Sequence, residues 1–280
     1  MPLKDLLVQV DGSRSAPARY EAAIRLAQDH GAHLTGLCLG VDVPIPASFM
    51  GMVPPEIVEN QHQAIREEAE TATVRFRSAT EKAGLSGDCR IIQGFAPDAI
   101  DALIEHVRHV DLGILGQSDP DEPSPLGDAF IAEVAMACGR PIMAIPYVGA
   151  SATLGQRVLV AWDGGREAAR AVNDALPILE RAQSVSVLCV NPSMSSDSGR
   201  RDPGADISLH LARHGVTVEA SRTVSREVSV GDVLLGEIAS NSIDLLVMGA
   251  YGHSRLREFI LGGVTRELLQ HMTAPLLMSH

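Results

Sequence analysis

Four glycines and three basic side chains lie close together near the end of this 280-residue chain, within VMGAYGHSRLREFILGGVT (247–265). The set comprises Gly249, Gly252, Gly262, Gly263, His253, Arg255 and Arg257. Glycine lets backbone N–H groups approach a ligand closely. The run GVTRELLQHM (263–272) is typical of a helix, whose N-terminus offers free N–H groups and partial positive charge to an anion. The pattern predicts a phosphate-binding loop, although tight turns alone would explain the glycines equally well.

The corresponding segment of the first half, ILGQSDPDEPSPLGDAF (114–130), keeps the outer glycines but carries acidic residues between them. Asp119, Asp121 and Glu122 lie between Gly116 and Gly127, with no basic residue among them. Each carboxylate close to a phosphate would repel it by about 1 kcal/mol or more, even in a water-like dielectric. We therefore expect the first half to have lost phosphate binding, and Asp11 to survive there as a plain turn residue.

The two halves are copies of one unit. LLVQVDGS (6–13) matches VLVAWDGG (158–165), which aligns Asp11 with Asp163. VDLGILG (110–116) matches IDLLVMG (243–249), and two further matches follow the same order. This internal repeat predicts two tandem domains, residues 1–148 and 155–280, joined by a small, polar linker.

Short apolar runs alternate with amphipathic stretches in each copy, which predicts an α/β fold with a doubly wound, five-stranded parallel sheet per domain. The last strand of each sheet is an apolar edge that invites self-association. In the simplest case the two halves of one chain pair there as a pseudo-dimer; otherwise the chain forms a homo-oligomer. The predicted strands are 4–10, 34–40, 89–93, 111–116 and 141–146, then 157–162, 184–190, 216–222, 244–249 and 274–278.

Charge narrows the possible partners. The formal net charge is −12, which argues against nucleic acid and anionic membranes. Residues 1–150 hold 11 basic and 21 acidic side chains, and residues 151–280 hold 12 and 14, so an anionic ligand should prefer the second half. The sequence shows neither a signal-peptide pattern nor a long apolar run, so we expect a cytoplasmic protein. The four widely spaced cysteines are expected to be reduced and buried.

The spacing Gly249-x2-Gly252-x9-Gly262 resembles that of the universal stress protein family, whose nucleotide-binding members carry G-x2-G-x9-G-[S/T]. The leading DGS and DGG, the D-L-x-x-M-G of the fourth strand and the order of elements extend the resemblance over the whole chain as a tandem pair. This sequence departs from the motif at Gly263, where the family has a hydroxyl, while Thr265 stands at the position of a second one.

The resemblance implies adenine-nucleotide binding, with ATP as the expected ligand and Mg²⁺ as its possible companion. By that resemblance Asp163 faces the ribose and adenine, Val190 lines the base, and Met248 and Gly249 lie under the sugar. The residues expected at the triphosphate are Gly252, Gly262, Gly263, Val264 and Thr265, with His253 and Arg255 supplying charge.

The implied function is a stress-response sensor or regulator with little or no turnover and an unknown protein partner. Two alternatives stay open: a nucleotide-independent interaction module and a slow ATP hydrolase. No residue is assigned a catalytic or metal-binding role. Asp206, His210 and His214 share a helical spacing that could hold zinc, but a solvated helix face explains them better. Trp162 either packs under a helix or stacks on a base.

Overall fold

The computed structural model describes residues 2–44, 48, 52–149, 153–192, 203–250 and 263–280. The chain divides into two compact units. We call Leu3–Cys138 the first unit and the part built mainly from Gly139–His280 the second unit. The predicted α/β class is confirmed, since strands and helices alternate throughout both units.

The first unit contains four parallel strands in the order β3-β2-β1-β4. The reversal of strand order between β1 and β4 creates the crevice in which open α/β sheets bind ligands. The elements are β1 (Asp5–Val10), α1 (Ala16–His30), β2 (His33–Asp42), α2 (Pro55–Lys82), β3 (Asp88–Phe95), α3 (Ala96–Val107), β4 (Leu112–Gly116) and α4 (Phe130–Ala137).

The second unit repeats this order, with parallel strands β10-β9-β6-β7-β8 and the equivalent crevice between β6 and β9. It also contains β5, the last strand of the first repeat. The elements are β5 (Ile142–Ile145), β6 (Arg157–Ala161), α5 (Arg166–Leu179), β7 (Ser184–Val190), α6 (Pro203–Arg213), β8 (Val218–Thr223), α7 (Val230–Asn241), β9 (Leu245–Gly249), α8 (Gly263–His271) and β10 (Leu276–Ser279).

The two terminal strands of the repeats pair with each other. β5 runs antiparallel to β10, with Met143 opposite Leu277. All residues of both strands are buried. The intramolecular form of the predicted edge pairing is therefore confirmed, and its antiparallel direction departs from the parallel arrangement predicted for the strands.

In each repeat, an aspartate at the equivalent position holds the start of the first strand in place. Asp111 accepts hydrogen bonds from the backbone N–H groups of Lys4 and Asp5, at 2.7 and 3.1 Å. Asp244, which is 3% exposed, accepts from Gln156 and Arg157, at 3.2 and 2.9 Å. These bonds satisfy strand N–H groups and orient the sheet edge opposite the crevice.

Candidate functional site

The predicted site residues of the second unit converge at the carboxyl ends of its strands. Ala161, the last residue of β6, lies opposite Leu188 on β7 and Met248 on β9. The residues that follow these positions therefore meet at one edge of the sheet, at the switch point between β6 and β9. The structure thereby brings together four of the predicted positions: Asp163, Val190, Met248 and Gly249.

Asp163 lies in the turn between β6 and α5 and is exposed. Gly164 takes a φ of +79°, a left-handed conformation that glycine adopts without strain. The turn closes with a hydrogen bond of 2.7 Å from the N–H of Gly165 to Oδ1 of Asp163. This geometry presents the carboxylate at the surface of the crevice, where it can accept hydrogen bonds from a ligand hydroxyl.

Gly249 is required by the packing of α5, whatever ligand binds nearby. A methyl group placed on Gly249 would lie 2.4 Å from the backbone nitrogen of Ala168 and 2.6 Å from the carbonyl carbon of Glu167. Side-chain carbons do not approach other atoms so closely, so the first turn of α5 can lie against the end of β9 only because this position has no side chain.

Glu167 was missed by the sequence analysis. It begins α5 beside Gly249 and is 6% exposed. Burial alone would raise the pKa of its carboxyl group, but hydrogen bonds from the Arg166 guanidinium and the Glu167 backbone, with the charges of Arg166 and His280, together hold the pKa below its usual value. The position of an acidic residue in the first helical turn was the available signal, because the helix dipole favours negative charge there.

The predicted phosphate-binding helix α8 begins at Gly263. Gly263 is exposed, Val264 is half-buried and Thr265 is 3% exposed. A methyl group on Gly263 would have no atom within 4 Å, so the position has room for a side chain. The other motif residues, Gly252, His253, Arg255 and Gly262, lie outside the described residues.

Glu267 on α8 is directed towards the start of α7. Its Oε1 accepts a hydrogen bond of 2.6 Å from the hydroxyl of Ser229, the N-cap residue of α7. Its other oxygen lies over Gly231, 2.2 Å from where a methyl group would be. The carboxylate therefore stabilises the pairing of α7 with α8.

Trp162, at the end of β6, is half-buried and its backbone N–H donates to the carbonyl of Leu188 at 2.9 Å. It is the only tryptophan in the chain. Its place directly before Asp163 makes its fluorescence a reporter of this edge of the sheet.

The equivalent carboxylate in the first unit, Asp11, is already engaged by its own unit. Oδ2 of Asp11 accepts from the Arg19 guanidinium at 2.6 Å and from the Gln9 amide at 3.0 Å. Oδ1 accepts from the N–H and hydroxyl of Ser13, at 3.1 and 2.5 Å. Burial by itself would raise the pKa of Asp11, but the charge of Arg19 and these bonds hold the pKa below its usual value.

This network corrects the expectation that Asp11 is only a turn residue. Arg19 is 2% exposed and also donates to the carbonyl of Gln9 at 2.9 Å. A methyl group on Gly116 would overlap the Arg19 guanidinium, so the missing side chain at Gly116 makes room for a buried cation. A buried charge needs a partner of opposite sign, which Asp11 supplies.

The acidic segment between Gly116 and Gly127 contains no basic residue, but two of its carboxylates pair with a basic residue from outside the segment. Asp119 and Glu122 each form an ion pair of 3.5 Å with Arg14, just before α1. The backbone N–H of Arg14 donates to Glu122 at 3.0 Å. Two of the three carboxylates therefore hold the loop against the start of α1.

Two histidines, one in α6 and one directly after it, lie next to each other. His210 and His214 stack with their ring centroids 4.7 Å apart. Within the described ranges, no group of three or more His, Cys, Asp or Glu side chains is arranged to hold a metal ion. The four cysteines are buried free thiols, as expected. No helix in the described part of the chain has the length and apolar character needed to cross a bilayer.

Residues 155–280, which carry the converging positions, match the sequence model of the Universal stress protein family. The second repeat is therefore a universal stress protein domain. Over 98% of its length it is 25% identical to a universal stress protein from Synechocystis sp., and the match covers 99% of that protein.

The fold comparison covers both repeats. A crystal structure of a universal stress protein from Archaeoglobus fulgidus superposes with a TM-score of 0.72 at 15% identity, over 98% of this chain and 97% of that one. A functionally unknown protein from Pseudomonas aeruginosa PAO1 superposes with a TM-score of 0.59 at 15% identity, over 99% and 92%. The resemblance expected from the motifs is therefore confirmed for the family and the fold.

Proposed function

We propose that this universal stress protein binds one adenine nucleotide, ATP, in its second unit and acts as a cytoplasmic stress-response sensor with little or no turnover. The observation that carries the proposal is the contrast between two equivalent carboxylates. Asp163 is exposed at the switch point of the second unit, whereas all the oxygens of Asp11 are engaged within the first. A ribose hydroxyl needs an acceptor that is accessible, and Asp163 is the more exposed of the two carboxylates.

In the proposed site, the phosphate groups of the nucleotide bind at the start of α8 and at the residues of the glycine motif. The N-terminus of α8 offers N–H groups to an anion. The second half of the chain is nearly neutral, whereas the first half is strongly acidic, which favours an anionic ligand in the second. The roles of Gly252, Gly262, Gly263, Val264, Thr265, His253 and Arg255 at the phosphates stay predictions.

The contacts of two acids near the proposed site, Glu167 and Glu267, support binding without efficient hydrolysis. Hydrolysis requires an oriented water and charge neutralisation, usually with a well-held metal. Glu267 is committed to Ser229, and Glu167 to Arg166, so neither carboxylate is available to orient water. A sensor needs only that the nucleotide binds one conformation better than another.

One observation favours the alternative of a nucleotide-independent interaction module. Thr265, the hydroxyl residue that remains near the motif's lost [S/T] position, is 3% exposed. A hydroxyl buried in its own unit contributes less to a ligand than an accessible one. The choice between the two functions therefore depends on a direct binding measurement.

The test is a titration with ATP and Mg²⁺, followed by the fluorescence of Trp162. We expect saturable binding that is weakened by Asp163→Asn and abolished by Gly252→Asp, which adds a carboxylate to the motif. Glu180→Gln removes a carboxylate at the opposite end of α5 and should leave the affinity unchanged, so it serves as the matched control. Equal ATP affinity in all four proteins would contradict the proposed site.

A second variant restores the family's hydroxyl. Because a side chain at Gly263 meets no atom within 4 Å, Gly263→Ser should fold normally. A hydrogen bond to a charged group contributes about 1.5 kcal/mol or more, so affinity should rise roughly tenfold. An unchanged or weaker affinity for ATP would place the phosphates away from the start of α8.

A further inference from the structure

The first unit contains a cavity of about 360 Å³ at the carboxyl ends of β1, β2 and β4. Its volume lies within the range of small-molecule sites. The floor is apolar, with Val10 and Cys38 both buried, and the walls include Ile65 and Ala69 of α2 and Leu126 of the β4–α4 loop. An apolar body of a few carbons therefore has a surface to bind against.

The rim of this cavity is acidic. Four carboxylates line it, against the single guanidinium of Arg19; they are Asp11, Glu68, Asp119 and Glu122. Arg19 is bound to Asp11 and to the backbone of Gln9, so it has no spare charge for an anionic ligand. Arg14 compensates Asp119 and Glu122 from outside the cavity.

Among the described residues of the first unit, no cationic side chain pairs with the carboxylate of Glu68. Its Oε1 lies over the β1–α1 turn, 2.7 Å from where a methyl group on Gly12 would be. Within the described residues, no hydrogen bond or ion pair reaches this carboxylate. Its acceptor positions are therefore available to a ligand at the mouth of the cavity.

The buried thiol of Cys38 lies at the floor of the cavity, within reach of the rim charges. Burial is the main cause that raises its pKa to about 12, and the charges of Asp11 and Glu68 raise it further, together with Cys89. The rim carboxylates Asp11 and Glu68 therefore act on this thiol in the direction that disfavours a negative charge. A phosphate or carboxylate entering this space would be repelled.

We infer that the cavity of the first unit binds a small organic cation, with its apolar body against Val10, Ile65 and Leu126 and its ammonium group on Glu68. This inference does not depend on the nucleotide site, since every residue it uses lies in the first unit.

The test is isothermal titration of the full chain, using hexylammonium, hexanoate and hexanol as probes of equal length. We expect saturable binding of hexylammonium at about one molecule per chain, with hexanoate not binding and hexanol binding more weakly. Glu68→Gln should weaken hexylammonium binding about fivefold, the upper end of what one solvent-exposed ion pair contributes. Glu70→Gln, an exposed acid on the same helix outside the cavity, should have no effect and controls for general attraction to an acidic protein.

Ile65→Lys provides a second, independent variant. Residues three apart on a helix are neighbours, so the new ammonium can pair with Glu68 from inside the cavity. Hexylammonium binding should then be lost, while circular dichroism shows the fold retained. Binding that survives Ile65→Lys, or equal affinity for hexanoate, or an unchanged affinity in Glu68→Gln, would overturn the inference. Failure of ATP binding in the same protein would leave it untouched.

Discussion

Replacement of Gly249 by alanine tests the packing of α5 on β9. The added methyl group would lie 2.4 Å from the nitrogen of Ala168, and ordinary contact begins near 3.4 Å, so the start of α5 must move by about 1 Å. The obstructing atoms belong to the backbone and to the β-carbon of Glu167, so no side-chain rotation relieves the contact. Overpacking of this kind costs about 1–3 kcal/mol, and we expect the upper end of that range here.

The assay is thermal and urea unfolding of the second unit, followed by Trp162 fluorescence. A loss of about 3 kcal/mol should lower the melting temperature by roughly 6–12 °C. Gly236→Ala, within α7 of the same unit, meets no atom within 4 Å and is the matched control. It should be neutral or slightly stabilising, because alanine restricts the unfolded chain and favours a helix.

An unfolding midpoint for Gly249→Ala equal to that of the unmodified protein would refute this reasoning. Gly249 would then be needed only for a ligand, or not at all. The same result would also separate the two explanations of the glycine motif, since a purely ligand-binding glycine changes affinity and leaves stability unchanged.

Three further predictions concern other parts of the chain. Asp244→Asn should lower the free energy of unfolding by about 1–3 kcal/mol in urea titrations, because a buried acceptor of two backbone N–H groups loses its charge. Stability should fall as the pH rises from about 9 to about 12, because burial raises the pKa of Cys38 from 9.0 and of Tyr20 from 10.0 to about 12 in the folded state. Urea midpoints that stay constant over that window would contradict this, and Tyr20→Phe should reduce the slope. Single-turnover hydrolysis of ATP with Mg²⁺ should be far slower than the enzyme median of about 10 per second; a rate near that value would identify an ATPase.

The elements of the fold could be predicted from the sequence because the signals are local and occur twice. All ten predicted strands are present with ends within two residues, and Gly31 ends α1 in the left-handed conformation expected of a C-cap. The pairing of β5 with β10 was foreseen from two apolar edges, although its direction was not. Apolar patterning identifies an edge without specifying which way its partner runs.

The polar contacts of the two crevices could not be predicted, because they join residues far apart in the sequence. Arg14 reaches Glu122, 108 positions away, and a search for basic residues within the acidic loop does not find it. Arg19 lies on a helix face that an amphipathic pattern does not mark as polar and buried. Its pairing with Asp11 depends on the space left by Gly116, which only the packed structure reveals.

The central claim, one nucleotide per chain in the second unit, is tested most directly by native mass spectrometry of the full chain with ATP. We expect a single adduct of one ATP that persists in Asp11→Asn and disappears in Gly252→Asp. Two ATP molecules bound per chain, none bound to the unmodified protein, or loss of the adduct in a folded Asp11→Asn variant would contradict the account.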